Sequence, residues 1–387
     1  MIATTTFYKR PLPATCVPFS SDAGRAIFQE ALDAGTLASY FVLAEQFHTQ
    51  ADPAFCGLGT LVVVLNALAI DPGPGRPWKG PWRWFSEEHL DCCRPLSEVQ
   101  RTGLTMPQLA CLARCNGARV EVRHGESVTL EMFRQVLRET ACTSGEPHLV
   151  VSYDRGSLGQ TGSGHFSPVG GYHEGRDLVL ILDVARFKYP PHWVPLPDLH
   201  RAMQPRDPET GRSRGFLRFW RHTEVASLCS LQATDTSWRT LLGQIFDAGS
   251  VAAGSTEALI ERLLHTLPLH ALQWARPHAA DGSTSSDVAS AQAILQQDLE
   301  RTEIMHFLRA ALPQPNVNLA EIALFLLSLP AHVFRSLAPP LREQMEKLQQ
   351  LDGLPKTVRQ QVEYLRVQAE ALDEINLCPP SPPAPPP

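Results

Sequence analysis

The apolar and polar positions change character once along the chain, near residue 222. Before that point helical patterns come first and extended runs follow. Ser20 or Ser21 can cap a helix through Ala23, Ile27, Phe28 and Ala31 that ends at Gly35, and a second short helix covers Leu37 to Phe47. The run Leu61-Val62-Val63-Val64-Leu65-Asn66-Ala67-Leu68 is long enough for a buried helix, but its valines leave a buried strand open. Asp71-Pro72-Gly73-Pro74-Gly75 breaks the chain. Thr105 to Gly117 is a helix by its punctuation: Thr105 caps, Pro107 lies in the first turn and Gly117 stops it. Arg119 to Val122 reads as a strand, Leu130 to Glu139 as an amphipathic helix and Leu149 to Tyr153 as a strand. A hairpin between Val169 and Leu178, turning at His173 to Arg176, comes next, and Phe216 to Arg221 is a last strand. Helices first and strands later predict an α+β unit.

From about Thr223 only helical periodicity remains, over Ser255 to His265, Ser285 to Ala311, Asn318 to Leu329 and Leu341 to Leu372. Pro277 to Ser286 reads as a linker, and Pro379 to Pro387 as a disordered or polyproline-like tail. The expected organisation is a first domain over residues 1–222, a helical domain over 223–378 and the tail over 379–387.

Composition narrows the partners. The chain has 387 residues, enough for two domains, and its 43% hydrophobic content is ordinary for a globular protein. A net charge of -6 and a pI near 6.2 offer no basic face for nucleic acid. No apolar stretch approaches the length of a membrane span, and the first residues lack a charged segment followed by an apolar core, so neither membrane nor secretory export is expected. Nine cysteines, an odd number scattered through the chain, fit reduced thiols and a cytoplasmic location.

Candidate chemistry gathers after Gln50. Asp52 and Pro53 form a turn, and Cys56 sits where the loop becomes the first turn of the apolar run. Unpaired amides and the positive end of a helix favour a thiolate there. A small residue packed at a helix start is the alternative. A thiolate needs a base, and the base an orienting group. Gly162-Ser163-Gly164-His165 supplies a glycine-flanked histidine, and Asp183 closes the apolar run Leu178 to Leu182. The hairpin would bring His165 and Asp183 to one sheet end. Gln50, six residues before Cys56, suits an amide donor for an oxyanion hole. The order Cys, His, Asp is that of papain-like thiol enzymes, with shorter spacing.

Other features carry less. Trp78 to Phe85 holds three tryptophans, read as a loop packed on the core or as a wall of a substrate groove. Cys111 and Cys115 share a helix face, and Cys92-Cys93 is an adjacent pair. None forms a zinc-knuckle spacing, so buried structural thiols are favoured over capture of a soft metal, which stays open.

Over Phe7 to about Phe216 the chain resembles the phytochelatin synthase family, the glutathione γ-glutamylcysteinyltransferases. The likeness rests on Phe7-Tyr8-Lys9-Arg10-Pro11-Leu12-Pro13, Cys56-Gly57-Leu58 and Leu65-Asn66-Ala67-Leu68-Ala69-Ile70-Asp71-Pro72. It continues through Trp78-Lys79-Gly80-Pro81-Trp82-Arg83-Trp84-Phe85, Leu90-Asp91-Cys92-Cys93, Gln160 to Pro168 and Ile181 to Leu196. The resemblance implies a papain-like fold, a helical half and a β half with a cleft between. It implies acyl transfer of γ-Glu-Cys from glutathione to a second glutathione or a phytochelatin. Cys56 would be the nucleophile, His165 the base, Asp183 its orienting group, and Gln50 with the Cys56 amide the oxyanion hole. Asp207 and Arg214 would hold the ammonium and carboxylate of the γ-glutamyl end, with Gly164 beside them. Arg155 and Arg186 match positions linked to acceptor binding and active-site order. No covalent cofactor is implied; cadmium, zinc and copper ions would activate as glutathione thiolates.

The plant members' cysteine-rich C-terminal half is not matched, since only Cys229 and Cys378 fall there. A stabilising or substrate-binding role suits that half better, and its apolar helical faces leave a homodimer open. Two rival readings are a glutathione hydrolase of the same fold and a catalytically silent metal-binding protein. The presence of Gln50, Cys56, His165 and Asp183 together argues against the second.

Overall fold

The computed structural model describes residues 8–72, 82–91, 94–221, 229–231, 259, 272–274, 285–312 and 318–376. Contacts divide the chain into two compact units, one of residues 1–70 and 85–222, the other of residues 71–84 and 223–377. The expected helix at Ser255 to His265 apart from residue 259, the tail, the first half of the tryptophan segment and most of the linker lie outside the described residues, and Trp82 and Trp84 of that segment are exposed.

The first unit is built on a seven-stranded antiparallel sheet in the order β1-β6-β5-β4-β3-β7-β2. Its strands are β1 (Val17–Pro18), β2 (Ala118–His124), β3 (His148–Asp154), β4 (Gly164–His173), β5 (Leu178–Ile181), β6 (His192–Pro195) and β7 (Gly215–Arg221). Helices α1 (Asp22–Asp33), α2 (Ala38–Glu45), α3 (Cys56–Ala67), α4 (Leu96–Thr102) and α5 (Met106–Cys115) precede most of the sheet, with α6 (Leu130–Ala141) and α7 (Leu196–Ala202) between strands. The unit is therefore a mixed helix and sheet fold of the α+β kind.

The caps follow the expected chemistry. The Ser21 side chain accepts from the Gly24 amide at 3.0 Å to start α1. In α5, the Gln108 side chain accepts from the Thr105 amide at 2.8 Å while the Thr105 hydroxyl receives the Gln108 amide at 3.4 Å, a reciprocal cap. Gly117 then turns the chain with a φ of +88°.

The valine-rich run is a helix. Every residue of α3 from Gly57 to Asn66 is buried, so it has no polar face and its sequence shows no stripe. In a separate cluster, Phe133 and Leu137 of α6 and Leu199 and Ala202 of α7 pack with Val151, Tyr153, Tyr172, Ile181 and Val194 of the sheet. Each such large side chain removed from water contributes about 1.5–3 kcal/mol.

Strands β1 and β6 and helices α4 and α7 were not foreseen. Prolines crowd β6 and α7: Pro190 and Pro191 precede the strand, Pro195 ends it and Pro197 lies in the helix's first turn. Such residues read as loop, yet β6 pairs β5 from Leu178↔Pro195 to Ile181↔His192.

His148 opens β3 and is 1% exposed. Burial lowers its pKa to about 4, against a weaker raising effect of its hydrogen bond to the Ala67 backbone. A histidine whose folded pKa is depressed costs nothing above its unfolded value near 6.5 and opposes folding as pH falls from there toward 4. The expected loss across that window is up to about 3 kcal/mol. Urea midpoints measured from pH 7 to pH 4 should therefore fall less steeply in His148→Leu than in the parent. Equal slopes would remove His148 as the cause.

The second unit contains α8 (Ser285–Leu299), α9 (Glu303–Ala311), α10 (Leu319–Ser328), α11 (Pro339–Leu348) and α12 (Lys356–Asn376), with a two-stranded pair β8 (Cys229–Leu231) and β9 (Leu272–Trp274). Two expected helices are each divided. The Ser285 to Ala311 pattern breaks where the Thr302 hydroxyl donates to the Leu299 carbonyl at 2.6 Å. The Leu341 to Leu372 pattern breaks at Gly353, with φ +92°, and Pro355, which lacks the amide that a continuous helix needs. Every residue of helix α10 except Glu321 is buried, and the Gln349 side-chain amide closes its end by donating to the Leu326 and Leu329 carbonyls at 2.8 Å each. Among the described residues, no helix is long and apolar enough to cross a membrane.

Candidate active site

Helix α3 begins at Cys56, directly after the loop Gln50 to Phe55. That loop is tied down at each step. The Gln50 amide donates to the Val184 carbonyl at 3.1 Å, and the Ala51 amide to both Glu87 carboxylate oxygens at 3.2 and 3.0 Å. Asp52 accepts from the Ala54 amide at 2.9 Å through Oδ1 and from the Gln100 side chain at 2.9 Å through Oδ2. The thiol is thus delivered to a helix start by a loop with little freedom.

The sheet brings the other two groups. Strands β4 and β5 form the expected hairpin, with the three-residue turn Glu174–Arg176 between them. A bulge between Val169 and Gly171 shifts the register, and the Leu182 amide still donates to the Pro168 carbonyl at 3.0 Å. Gly171 is required there, because a Cβ would lie 2.2 Å from Leu37 Cδ2. The result places Asp183, just past β5, at 2.9 Å from Nε2 of His165 near the start of β4. With Nε2 engaged by the carboxylate, Nδ1 is the nitrogen left for the thiol. The His165 side chain and the Phe166 backbone amide are the groups that act on the Cys56 thiol from β4.

Electrostatics polarise this row. Burial raises the Cys56 pKa, but His165, the Phe166 amide and Arg155 outweigh it and hold the thiol below its ordinary value. Burial and Arg155 oppose a charged His165, and Asp183 and Cys56 overcome them, so its pKa is raised. Asp183 is fully buried, yet His165 and Arg155 keep it well below the usual carboxylate range. It accepts from Arg155 Nη2 at 2.9 and 2.8 Å and from the Ala185 amide at 2.9 Å. Both shifts move the pair toward thiolate and imidazolium, with the Asp183 carboxylate behind them.

The remaining expected residues fall into place unevenly. Gln50 lies beside the nucleophile loop, but its side-chain amide donates to the Asp52 and Pro53 carbonyls at 2.8 and 3.0 Å. Its buried Oε1 has no hydrogen-bond partner. In this structure both contacts of the Gln50 amide nitrogen are to carbonyls of its own loop.

Asp207 and Arg214 are not a solvated pair. Arg214 Nη1 donates to Asp207 Oδ2 at 3.0 Å, and the buried Arg214 Nε has no partner. Asp207 Oδ1 caps its own turn through the Glu209 and Thr210 amides at 3.0 and 3.3 Å. The Arg214 guanidinium lies against Gly164, where an added Cβ would be 2.4 Å from Nη1. Gly164 thus lets a cation approach the residue next to His165.

Arg155 is buried at 3% exposure against Asp183, which fits active-site order rather than an open acceptor site. Arg186 donates to the Phe47 carbonyl at 3.4 Å and lies 4.6 Å over the Phe47 ring, steadying the chain before Gln50.

Cys111 and Cys115 are buried with their sulfurs 3.9 Å apart on α5, and Cys92 and Cys93 lie outside the described residues. Among the described residues, no group of three or more His, Cys, Asp or Glu is placed to hold a metal ion. Three buried polar residues near the site escaped sequence reasoning: Glu87, Gln160 and His192. Nothing in their spacing marks them, since Glu87 meets Ala51 and Gln160 meets His192 only through the fold.

A thiol at a helix start, an imidazole on a strand and a buried carboxylate behind it make up the constellation of a cysteine nucleophile with its base. The phytochelatin synthase family profile matches residues 7–216, and the chain belongs to that family. Glutathione gamma-glutamylcysteinyltransferase 1 of Lotus japonicus is 48% identical over 242 residues, which are 62% of this chain and 48% of that protein. The enzyme of the same name from Arabidopsis thaliana is 46% identical over 283 residues, 71% of this chain and 58% of that one. Glutathione gamma-glutamylcysteinyltransferase of Schizosaccharomyces pombe is 42% identical over 259 residues, 67% and 61% respectively. The matches span about half the length of the first of these relatives and about three fifths of the last.

Proposed function

We propose that the protein is a cytoplasmic glutathione γ-glutamylcysteinyltransferase with a papain-like catalytic unit, making (γ-Glu-Cys)n-Gly from glutathione. The observation that carries the reading is the His165–Asp183 hydrogen bond of 2.9 Å on the imidazole that faces Cys56. The Cys56 thiolate attacks the amide carbonyl between γ-Glu-Cys and glycine. His165 gives its proton to the departing glycine amine, and the γ-Glu-Cys thioester remains on Cys56. The amine of a second glutathione or of a phytochelatin then attacks the thioester. His165 takes the amine proton, and the thiolate leaves with the new amide bond formed. Asp183 holds the imidazole throughout.

The tetrahedral oxyanion is held by amides at the start of α3 and by Gln50, which releases one N–H from the Asp52–Pro53 loop as substrate enters. Each such donor is worth about 10²–10³ in rate. Cadmium, zinc and copper ions enter as thiolates of the acceptor glutathione, and so as part of the substrate.

Asp207 and Arg214 neutralise each other at 3.0 Å, and the zwitterionic γ-glutamyl end inserts between them, its ammonium on Asp207 and its carboxylate on Arg214. A lost charge-assisted bond costs about 1.5–3 kcal/mol. Asp207→Asn is therefore expected to raise the KM for glutathione by about 10–100-fold with kcat nearly unchanged. A loss confined to kcat would move Asp207 out of the donor site.

Acid quenching during turnover of glutathione, followed by peptide mass analysis, tests the intermediate. The expected result is a γ-glutamylcysteinyl adduct on the Cys56 peptide. Product formation with the adduct on another cysteine would overturn the assignment.

A further inference from the structure

Behind Asp183 runs a row of buried polar side chains that the reaction above leaves unused. Arg155 presents Nη2 to both oxygens of Asp183, and its Nη1 donates to Gln160 Oε1 at 2.6 Å. That contact fixes the Gln160 amide, whose Nε2 faces Nε2 of His192 at 2.9 Å. His192 Nδ1 lies 2.8 Å from the Pro190 carbonyl, which only accepts. One proton arrangement satisfies every bond: Nδ1–H of His192 donates to Pro190, and its Nε2 accepts from Gln160. Burial, the largest effect on His192, keeps it neutral, as this arrangement requires.

None of the row reaches solvent: Asp183 and His192 are 0% exposed, Arg155 3% and Gln160 5%. The backbone closes around it. The Gln160 amide donates to the Arg155 carbonyl, and the Arg155 amide to the Ser163 carbonyl, both at 2.9 Å. The Tyr189 ring lies 5.0 Å below the guanidinium. The row spans the sheet as well, because His192 is the register partner of Ile181, two residues before Asp183.

We infer that Gln160 and His192 are positioning residues for the acyl transfer, holding Arg155 flat against Asp183 so that the carboxylate presents one fixed geometry and a partly cancelled charge to His165. The physical argument is one of orientation. Arg155 is a long side chain with five donors in a cavity rich in acceptors and rings. Without Gln160, Nη1 loses the acceptor it has among the described residues and the fork can rotate about Nη2. Asp183 would then keep its charge and lose its counter-charge.

The groups facing the reactive pair are few. His165 meets Asp183, Cys56 and Arg155, with the Tyr153 ring edge-on at 5.7 Å. Asp183 also senses His192, and Lys188 senses Arg155 and Asp183. Of these, Arg155 favours the Cys56 thiolate and opposes the His165 cation. Loosening it shifts both ionisations to higher pH.

The inference rests on Cys56 being the nucleophile, and its test separates the two claims. The rate of iodoacetamide alkylation at Cys56, resolved by peptide mass, is measured against pH in the full chain, in Gln160→Met and in His192→Phe. In the parent, preferential alkylation of Cys56 at neutral pH is expected, and its absence would count against the proposed function itself. In Gln160→Met the midpoint of the profile is expected to rise by about 0.5 pH unit or more, with kcat for glutathione falling about tenfold and KM within about twofold. His192→Phe should move the midpoint the same way by less. A row that merely supports the fold would lower the folded fraction and leave the midpoint of the remaining protein where it was. That result overturns the inference, as does failure of both variants to fold.

Discussion

Replacing Cys56 with serine should lower glutathione turnover by about 10³-fold or more and shift the thermal midpoint by only a few degrees. The first part follows from the ionisation of the site. His165, the Phe166 amide and Arg155 bring the thiol below its ordinary value, which favours the thiolate that the proposed mechanism uses. A serine hydroxyl in the same surroundings stays protonated. The second part follows from its place in the fold. Cys56 is half-buried at a helix start, and the loop that delivers it is held by Glu87, Val184 and Gln100 through Ala51, Gln50 and Asp52 and not through the sulfur's own bonds. Turnover assays paired with thermal melts read both. A serine variant that kept a tenth of the parent rate would remove the thiolate from the mechanism.

Asp183→Asn should damage both activity and stability. The carboxylate accepts from three directions: His165, Arg155 and the Ala185 amide. An asparagine carries one acceptor oxygen, and its amino group would face donors. The imidazole would lose the partner that fixes its tautomer, an effect of about 10³–10⁴ in rate for triads of this kind. Arg155 would be left as a buried cation without its carboxylate, which costs about 3–5 kcal/mol.

The pH dependence has a definite sign. Asp183 has a depressed folded pKa, so its contribution to stability is present above the unfolded value near 3.9 and is lost as pH falls below it. Denaturant midpoints between pH 7 and pH 3 should therefore show a flatter acid limb in the asparagine variant. An asparagine variant as stable as the parent at pH 7 would contradict the Arg155–Asp183 pairing.

The candidate residues Cys56, His165 and Asp183 stand out in the sequence because local signals surround them. A turn at Asp52–Pro53, an apolar run after Cys56 and a hairpin between His165 and Asp183 are short-range features. The hairpin's outcome still depended on a bulge at Gly170 and on the approach of Leu37 to Gly171, which no local pattern encodes. Proline hid β6 and α7, and complete burial hid the helical period of α3. In the second unit, a run of helix-forming residues masked the breaks at Thr302 and Gly353.

At the site itself, residue type pointed to Gln50 and to the Asp207–Arg214 pair. It could not show that the Gln50 amide is committed to its own loop, or that the two charges meet each other. Gln160 and His192 were illegible for a related reason. Their chemistry is the sum of partners drawn from four separate stretches of chain.

The most direct measurement is the product pattern. The full chain is incubated with millimolar glutathione, with and without micromolar cadmium, and the products are resolved by mass. A ladder of (γ-Glu-Cys)n-Gly that grows with the metal, with glycine released, is the predicted result. Free γ-Glu-Cys and glycine with no ladder would show that the thioester goes to water and would contradict the transferase.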